Sequence, residues 1–451
     1  MTAHPIDSGI YGHLWGTDEL RRLFDDEGRI QSWLQILAAL AEAQAEVGLV
    51  PEEAATSIRA HADVSRLDLA HVAELTRATG HSTLGLIRCL QEILPPSARE
   101  WVYYGATVQD ISDTWTSLIL KQVATVLDRD LARAEQATRQ LAETYADTVM
   151  CGRTHGQAGL PVTFGFKAAV WASEIARHRD RLAEGARRWD VAQLGGALGT
   201  MEFWGDRALP LLDAFAARLG LRAPDIAWLT ARDRIAEFVG LLGMVTATLG
   251  KIGQEIYQLQ RPELAEVREG AHDGVVGSIT MPHKVNPEIS EHLVTLARIV
   301  RSHVGLALEA MLHEHERDGR SWKAEWMFLP EACILSGSAA AMSCQLLEEL
   351  EVDEPRMARN LADRDGYLMS EPIMRELSPQ LGKHAAHELV HRTAMRGREK
   401  RQPFEEVLLA EPAIRRVLSE EAIHAALDPA GAIGAAPEFV RRVLEAGAER
   451  S

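Results

Sequence analysis

The chain has 451 residues, 46% of them hydrophobic, and a formal net charge of −17 at pH 7, so it can build two or three domains with ample core. The acidic balance argues against nucleic acid as a partner, because phosphate binding needs a basic surface. The start lacks a cationic-then-apolar signal, and no apolar run approaches the ~18 residues of a membrane span, so we expect a cytoplasmic protein without membrane contact. The cysteines form no close CxxC pair, which predicts four free thiols: Cys89, Cys151, Cys333 and Cys344.

Apolar residues at helical spacing dominate the chain. The pattern over residues 25–47 predicts a helix, which ends at Gly48 and Pro51. Three longer apolar stripes, in which apolar residues recur every three or four positions, cover residues 111–134, 235–259 and 289–311. Helices this long cannot bury their apolar faces alone and must form a bundle, and the length of the stripes also predicts subunit contacts. No segment shows the alternation of apolar and polar residues that is typical of a β-strand. We therefore predict an all-α protein in three domains: an N-terminal helical domain over residues 1–110, a central long-helix bundle over 111–354 and a C-terminal helical domain over 355–451.

Two loops in the first quarter of the chain are rich in small polar residues, at positions 79–83 and 104–110. Loops of this composition ahead of a helix offer hydroxyl and amide groups to a carboxylate. Candidate substrate-binding residues in them are His81, Ser82 and Thr107. Simple helix capping is the alternative for either loop, and His81 also fits a satisfied interior histidine.

Between the first two stripes lies a short polar segment, Thr154-His155-Gly156-Gln157. A lone histidine beside glycine is more often structural than catalytic. Imidazole is nevertheless the side chain whose unperturbed pKa suits proton transfer near neutral pH. A second glycine-rich segment, residues 193–200 (QLGGALGT), lacks the strand-before, helix-after context of a dinucleotide loop, so we exclude a Rossmann site.

The segment 274–291, GVVGSITMPHKVNPEISE, combines glycines, a serine, a lysine, an amide and an abrupt helix start. Asn286 can cap this helix, and Pro287 fits its first position. The loop would then deliver Lys284 and Asn286 to a helix N-terminus, which favours anions. The glycines predict a loop over 274–284 that is open without ligand and closes over substrate. The alternative is a surface loop that merely precedes a helix.

The run G-S-x-x-M-P-x-K-x-N in this segment resembles the hallmark of the fumarase/aspartase superfamily, whose members eliminate across a C–N or C–O bond and usually release fumarate. It is carried by Gly277, Ser278, Met281, Pro282, Lys284 and Asn286. The chain departs at Ile279, where most relatives carry a second serine. The resemblance covers nearly the whole chain and is most specific in this segment.

The resemblance implies roles for the candidate residues. Ser278 would be the catalytic base, and His155, flanked by Thr154 and Gln157 in the second family segment, would protonate the leaving group. Thr107 would contact a substrate carboxylate. Val108 replaces the serine of the usual Thr-Ser-x-Asp, so it is not a candidate. The family uses no metal or organic cofactor, and no metal-ligand spacing stands out in the sequence.

Two further segments place the chain within the superfamily. The form G-x-W-x-x-E-W, from Gly319 to Trp326, resembles the carboxymuconate-cycloisomerase branch. Leu14-Trp15 and the run 320–323 replace residues with which adenylosuccinate lyases hold a nucleotide phosphate, which predicts no useful turnover of adenylosuccinate. Arg320 in that run remains a candidate anion-binding residue. Unlike the bacterial cycloisomerases, this chain retains His155, which a ring closure does not need but an eliminated amine does.

These observations together predict a lyase that performs β-elimination on a small substituted succinate, with C–N cleavage and release of fumarate. The alternatives are a 3-carboxy-cis,cis-muconate lactonising cycloisomerase, an adenylosuccinate lyase and a non-catalytic scaffold on the same fold. The leaving group, an amine or a nitro group, stays open. The expected partner is a small dicarboxylate. The resemblance also implies a homotetramer whose active sites draw on several subunits.

Overall fold

The computed structural model describes residues 3–270, 278–281 and 283–448. Helices dominate these residues, which confirms the predicted all-α class. The chain forms two compact units, of which the first comprises Met1–Asp130, His178–Leu249 and Val294–Ala341, and the second comprises Leu131–Arg177, Gly250–Leu293 and Met342–Ser451. The division into three domains stays a prediction.

The first unit begins with one long helix among several short ones: α1 Gly12–Trp15, α2 Asp18–Phe24, α3 Asp26–Glu46, α4 Glu52–His61, α5 Leu69–Thr79, α6 Leu84–Ile93 and α7 Pro96–Arg99. Helix α3 confirms the predicted helix, and its face around Leu34 and Leu37 is fully buried. Gly48 follows the helix with φ of 75°, a left-handed conformation that glycine adopts without strain. Short 3₁₀ helices occur elsewhere, at Pro5–Asp7, Val64–Arg66, Glu202–Arg207, Tyr367–Met369 and Pro429–Ala432.

Long helices occupy the middle of the chain, and all but the short α10 contribute residues to both units: α8 Val108–Thr144, α9 Phe164–Trp189, α10 Ala208–Arg218, α11 Asp233–Gln260, α12 Glu288–Glu309 and α13 Gly319–Glu348. Helices α8, α11 and α12 confirm the three predicted stripes. Helices α9 and α13 were not predicted. Pro330 lies inside α13, and a proline is normally a signal that a helix ends.

Glycine allows α11 and α12 to pack closely. In the first unit, a Cβ atom added to Gly243 would lie 2.6 Å from Val304 Cγ2. In the second unit, a Cβ atom added to Gly253 would lie 3.0 Å from the carbonyl oxygen of Ser290. A Cβ atom at either position would force its neighbour on α12 to shift, so the lack of a side chain at both glycines allows the close packing.

Short helices complete the second unit: α14 Glu354–Ala362, α15 Ser370–Leu381, α16 Lys383–Lys400, α17 Phe404–Leu409, α18 Pro412–Arg415, α19 Glu420–Leu427 and α20 Ala436–Ala448. Helices α15 to α19 enclose a separate apolar cluster that includes Ile373, Leu377, Phe404 and Ile423, each fully buried. Because the cluster draws on α15, α17 and α19, it gives this part of the chain a core of its own.

Two small antiparallel sheets, which were not predicted, lie in the second unit. Strands β1 Val149–Thr154 and β2 Gln157–Thr163 form a hairpin, whereas β3 Val267–Arg268 pairs with β4 Glu351–Val352. Both sheets are too short to show a repeating apolar alternation. The hairpin carries the candidate residue His155. Strand β3 immediately precedes Glu269, which binds the first amides of α12.

Two expectations about compartment can be compared with the structure. Helices α11 and α13 are long and apolar enough to cross a membrane by length and composition, contrary to the expectation that no segment is. Their most apolar windows are 67% and 72% buried within the fold, however, as core helices of a soluble protein are. All four cysteines are buried and none of them forms a disulfide, which confirms the predicted thiols.

Candidate active site

The loop before α8 is organised around a buried aspartate. Asp110 accepts hydrogen bonds from the backbone amides of Thr107, Gly195 and Gly196, at 2.9, 2.7 and 3.0 Å, and from the Gln193 side chain at 3.3 Å. Burial raises the pKa of Asp110 to about 6, because the loss of hydration outweighs these donors. The glycine-rich segment excluded above as a dinucleotide loop therefore serves to hold the Thr107 loop.

Thr107 lies against a cation that the sequence analysis missed. Arg317 donates from Nη2 to Thr107 Oγ1 at 2.7 Å and from Nε to Gln109 Oε1 at 2.9 Å. The side chains of Thr107 and Arg317 are half-buried. An anion-binding role for Thr107 thus gains a guanidinium beside its hydroxyl. No local signal could have identified Arg317, because more than 200 residues separate it from Thr107.

Behind Arg317 a buried ionic network fixes its position. Gln109 donates to Asp113 at 3.0 Å, and Arg232 bridges Asp113 at 2.8 Å and Glu325 at 2.8 Å. Burial opposes the charge of Arg232, but the two carboxylates outweigh it and raise its pKa. Glu325 of the G-x-W-x-x-E-W form therefore has a structural partner in this chain.

The other candidates of the first unit make local contacts. Arg320 pairs with Asp318 at 2.9 Å and Glu314 at 2.8 Å, so its guanidinium is already shared between two carboxylates. His81 is exposed, which contradicts the interior alternative, and its Nδ1 accepts from the amide of Thr83 at 3.4 Å. Ser82 is half-buried in the same loop. Their substrate-binding roles stay predictions.

His155 occupies the tip of the β1–β2 hairpin. Thr154 pairs with Gln157, which leaves a two-residue turn in which His155 and Gly156 have φ of 53° and 73°. Positive φ at both positions is typical of a type I′ turn, whose twist matches that of the strands. All four residues are exposed. The imidazole is therefore presented to solvent by a tight turn and does not pack in a core.

A buried ion pair anchors the hairpin beside its tip. Arg153 donates to both carboxylate oxygens of Glu266, at 2.8 and 2.6 Å, and Asn360 donates to the same carboxylate at 2.8 Å. The Glu266 side chain is 0% exposed. A bidentate pair with a third donor fixes the carboxylate and hence the strand residue next to Thr154.

The start of α12 differs from the prediction. The helix begins at Glu288, and Asn286 does not cap it: the Asn286 side chain donates to Glu288 at 3.1 Å. The first amides are instead satisfied by Glu269, which accepts from Ile289 at 3.2 Å and from Ser290 at 2.7 Å. An internal carboxylate thus already accepts from these first amides, so they are not open to a ligand. The anion-binding roles of Lys284 and Asn286 stay predictions.

The Ser278 segment is described in part, since residues 271–277 and Pro282 lie outside the described residues. The predicted closure of the loop over 274–284 includes five of these residues and stays a prediction. Ser278 is half-buried, and its Oγ accepts from the amide of Met281 at 3.0 Å. Lys284 is exposed. Among the described residues, no hydrogen bond joins Ser278 to His155, although both belong to the second unit.

Comparison with known proteins extends over the whole chain. A family profile described as "Lyase" matches residues 15–301, and one described as "Adenylosuccinate lyase C-terminus" matches residues 366–443. An N-acetyl-S-(2-succino)cysteine lyase of Enterococcus italicus is 39% identical, covering 99% of this chain and 98% of that one. The enzyme of the same name from Dickeya dadantii is 37% identical over 98% of each chain. The crystal structure of the 3-carboxy-cis,cis-muconate lactonizing enzyme from Pseudomonas putida matches with a TM-score of 0.92 at 35% identity, covering 98% of this chain and 99% of that one.

The fold and these matches define a helical lyase. The chain belongs to the fumarase/aspartase superfamily, in the branch that includes the adenylosuccinate lyases and the carboxymuconate cycloisomerases. The predicted resemblance is thereby confirmed. The matches do not test which residues bind or react.

Proposed function

We propose that the protein performs β-elimination on a small substituted succinate and releases fumarate. The observation that carries this proposal is the full-length similarity to two lyases whose name describes a 2-succino compound. Because the matched regions cover 98–99% of the chain, they extend over both the His155 and the Ser278 segments.

The chemistry assigns a task to each candidate group. A base takes a proton from the carbon next to one carboxylate, the electron pair forms the new C=C bond, and the bond to the heteroatom breaks with its electrons going to the leaving group. Ser278 is the proposed base, which requires that its alkoxide be stabilised. Negative charge develops on the carboxylate in this step, so cations and donors placed there lower the barrier.

The proposed carboxylate-binding groups are Lys284, Asn286 and Thr107. Arg317 strengthens the assignment of Thr107, because a guanidinium 2.7 Å from the hydroxyl supplies a positive charge where an anion would bind. Thr154, Gln157, His81, Ser82 and Arg320 remain proposed substrate-binding residues, with Arg320 the weakest of them because two carboxylates already hold it.

The leaving group is bonded to the succinate carbon through either sulfur or nitrogen. One observation favours sulfur, and a different one favours nitrogen. The names of the two relatives favour sulfur, since a 2-succino group on cysteine sulfur is a thioether. A thiol has a pKa near 8.5, so it leaves as a thiolate without prior protonation. The exposed His155 at the hairpin tip favours nitrogen, because an amine must be protonated to leave. We place the thioether first because the two relatives that support it are similar over the full length.

A substrate panel tests the proposal directly. Purified protein is offered N-acetyl-S-(2-succino)cysteine, an N-substituted aspartate and 3-carboxy-cis,cis-muconate, while fumarate absorbance and lactone formation are followed. We expect fumarate from the thioether, at a lower rate from the amine, and no activity in the Ser278→Ala control. Lactone formation without fumarate from either succinate would establish the cycloisomerase alternative and end the elimination proposal.

The role of His155 separates the two leaving groups. If the native substrate is an amine, His155→Ala should lower turnover by at least about 100-fold, since general acid catalysis contributes about 10²–10⁴-fold. If it is a thioether, the loss should be below about tenfold. His384→Ala, which changes an exposed histidine on α16, is the matched control and should leave turnover unchanged.

A homotetramer in the cytoplasm completes the proposal. Solvent-exposed apolar side chains on α11 and α12, among them Met244, Leu306 and Leu308, support further burial by subunit association. Light scattering coupled to size-exclusion chromatography measures the assembly. A monomer that remains active would contradict it.

A further inference from the structure

Helices α5 and α6 form a helical pair that brings three metal-binding side chains together. His71 lies in the first turn of α5, and Cys89 and Glu92 lie three residues apart on α6. One donor atom from each, the imidazole nitrogen, the thiol sulfur and a carboxylate oxygen, lies within 4.8 Å of the other two. The distance between His71 Nε2 and Glu92 Oε2 is 3.2 Å.

A further carboxylate lies near the other nitrogen of the His71 ring. On the opposite side of the ring, Glu74 Oε2 lies 3.6 Å from His71 Nδ1. A carboxylate that holds the second ring nitrogen fixes the tautomer and the orientation of a metal-binding histidine. At 3.6 Å Glu74 is at ion-pair distance from Nδ1, and a small side-chain rotation would bring it to hydrogen-bond distance while Nε2 faces Glu92.

Exposure of the three groups differs in a way that suits an ion entering from solvent. Cys89 is 4% exposed, whereas the side chains of His71 and Glu92 are 39% and 57% exposed. The thiol would therefore form the floor of the site, and the other two groups would close around an ion from its rim.

We propose that His71, Cys89 and Glu92 form a Zn²⁺ site with water as the fourth ligand. Mixed sulfur, nitrogen and oxygen donors in a tetrahedral arrangement are typical of zinc. Donors at about 2.0–2.3 Å from a tetrahedral ion lie roughly 3.3–3.8 Å from one another, so small side-chain rotations complete the site. Neither the proposed elimination nor any comparison assigns a role to these three residues, and this proposal does not depend on either.

Zinc would join the two helices at the end opposite their connecting loop. That loop, residues 80–83, holds His81 and Ser82. Ion binding therefore stabilises the helical pair, because the folded chain binds zinc and the unfolded chain does not hold the three donors together. We expect zinc to raise the unfolding temperature of the wild-type protein.

The experiment uses full-length protein freed of metal by a chelator and titrated with Zn²⁺ against a chromophoric chelator. We expect one tight equivalent for the wild type, and at least tenfold weaker binding for both Cys89→Ser and His71→Ala. Glu74→Gln keeps all three ligands and should weaken binding by about tenfold through the lost support of the imidazole. His61→Ala, a half-buried histidine on the neighbouring helix α4, is the matched control and should bind like the wild type.

Two readouts guard against background binding and misfolding. Co²⁺ in place of zinc should show a thiolate charge-transfer band in the wild type that is lost in Cys89→Ser. If Cys89→Ser or His71→Ala fails to fold, Glu92→Gln changes only the exposed ligand and should show the same loss of zinc affinity. Wild-type affinity no higher than that of the folded variants, or a cobalt spectrum without the thiolate band, would overturn the proposal.

Discussion

Asp110 shows at the scale of one residue how a loop can depend on a single charge. Its two oxygens accept two hydrogen bonds each, from the amides of Thr107, Gly195 and Gly196 and from Gln193. Burial raises its pKa to about 6, so at pH 7 the side chain is ionised and can accept all four. An amide of the same shape cannot, because its NH₂ group would face two donors.

Asp110→Asn should therefore lower the free energy of unfolding by about 1–3 kcal/mol at pH 7, since buried donors are left without acceptors. Urea unfolding followed by circular dichroism measures this change. Asp233→Asn, an exposed aspartate at the start of α11, is the control and should change stability by no more than about 0.5 kcal/mol. Equal stability of the two variants would show that the loop does not depend on the Asp110 charge.

Ser278 is the residue on which the proposed chemistry most depends. Ser278→Ala should lower turnover by several orders of magnitude while substrate binding changes little, because a base acts in the transition state and not in the bound ground state. Steady-state kinetics and a direct binding measurement on the inactive variant separate the two effects. Thr280→Ala, an exposed hydroxyl two residues away, is the matched control. Turnover near that of the wild type would remove Ser278 from the role of base.

At the scale of elements, the start of α12 depends on a side chain about twenty residues earlier in the chain. Glu269 accepts from two amides of the first turn, and its own amide is bound by Gln260 Oε1 at 2.9 Å. Gln260 also donates to the carbonyl oxygen of Val285 at 3.4 Å. The end of α11, strand β3 and the helix after the Ser278 segment are thus linked by hydrogen bonds of two residues.

Glu269→Ala should lower the free energy of unfolding by about 1–3 kcal/mol, because the buried amide of Ser290 loses its acceptor. It should also reduce turnover, since Ser278 and Lys284 precede the same helix start. Glu288→Ala removes an exposed carboxylate from the first turn of α12 and is the control. The assignment fails if both variants unfold at the same denaturant concentration.

Sequence patterns predicted the elements that follow local rules and missed those that depend on distant contacts. The stripes of α8, α11 and α12 were visible because apolar residues repeat with helical period. Helix α13 was not, because Pro330 interrupts the expected pattern. The contact of Glu269 with the start of α12 and that of Arg317 with Thr107 each join residues far apart in the chain. No local sequence pattern predicts such a pair. Asn286 shows the converse, since a residue well suited to capping was displaced by a tertiary contact.

At the scale of the whole molecule, the predicted homotetramer has a consequence that mixing can test. Ser278→Ala and His155→Ala are each expected to reduce activity, and in a tetramer whose sites combine both residues from different subunits, mixed assemblies contain some intact sites. Random assortment of equal amounts should restore about one quarter of the sites. Co-refolded variants are assayed against each variant refolded alone. Activity no greater than the average of the two separate variants would rule out shared sites.

The hairpin tip places a histidine where the fold alone would favour another residue. Asn-Gly is the preferred pair for a type I′ turn, and His155 at φ of 53° stands in the asparagine position. A residue that suits its backbone conformation less well than asparagine predicts a trade-off between stability and activity. His155→Asn should therefore raise the free energy of unfolding by up to about 1 kcal/mol and lower turnover on amine-bearing substrates. Gly156→Ala should do the reverse to stability, because alanine is strained at φ of 73°. If His155→Asn proves both less stable and equally active, the imidazole serves the turn and not the reaction.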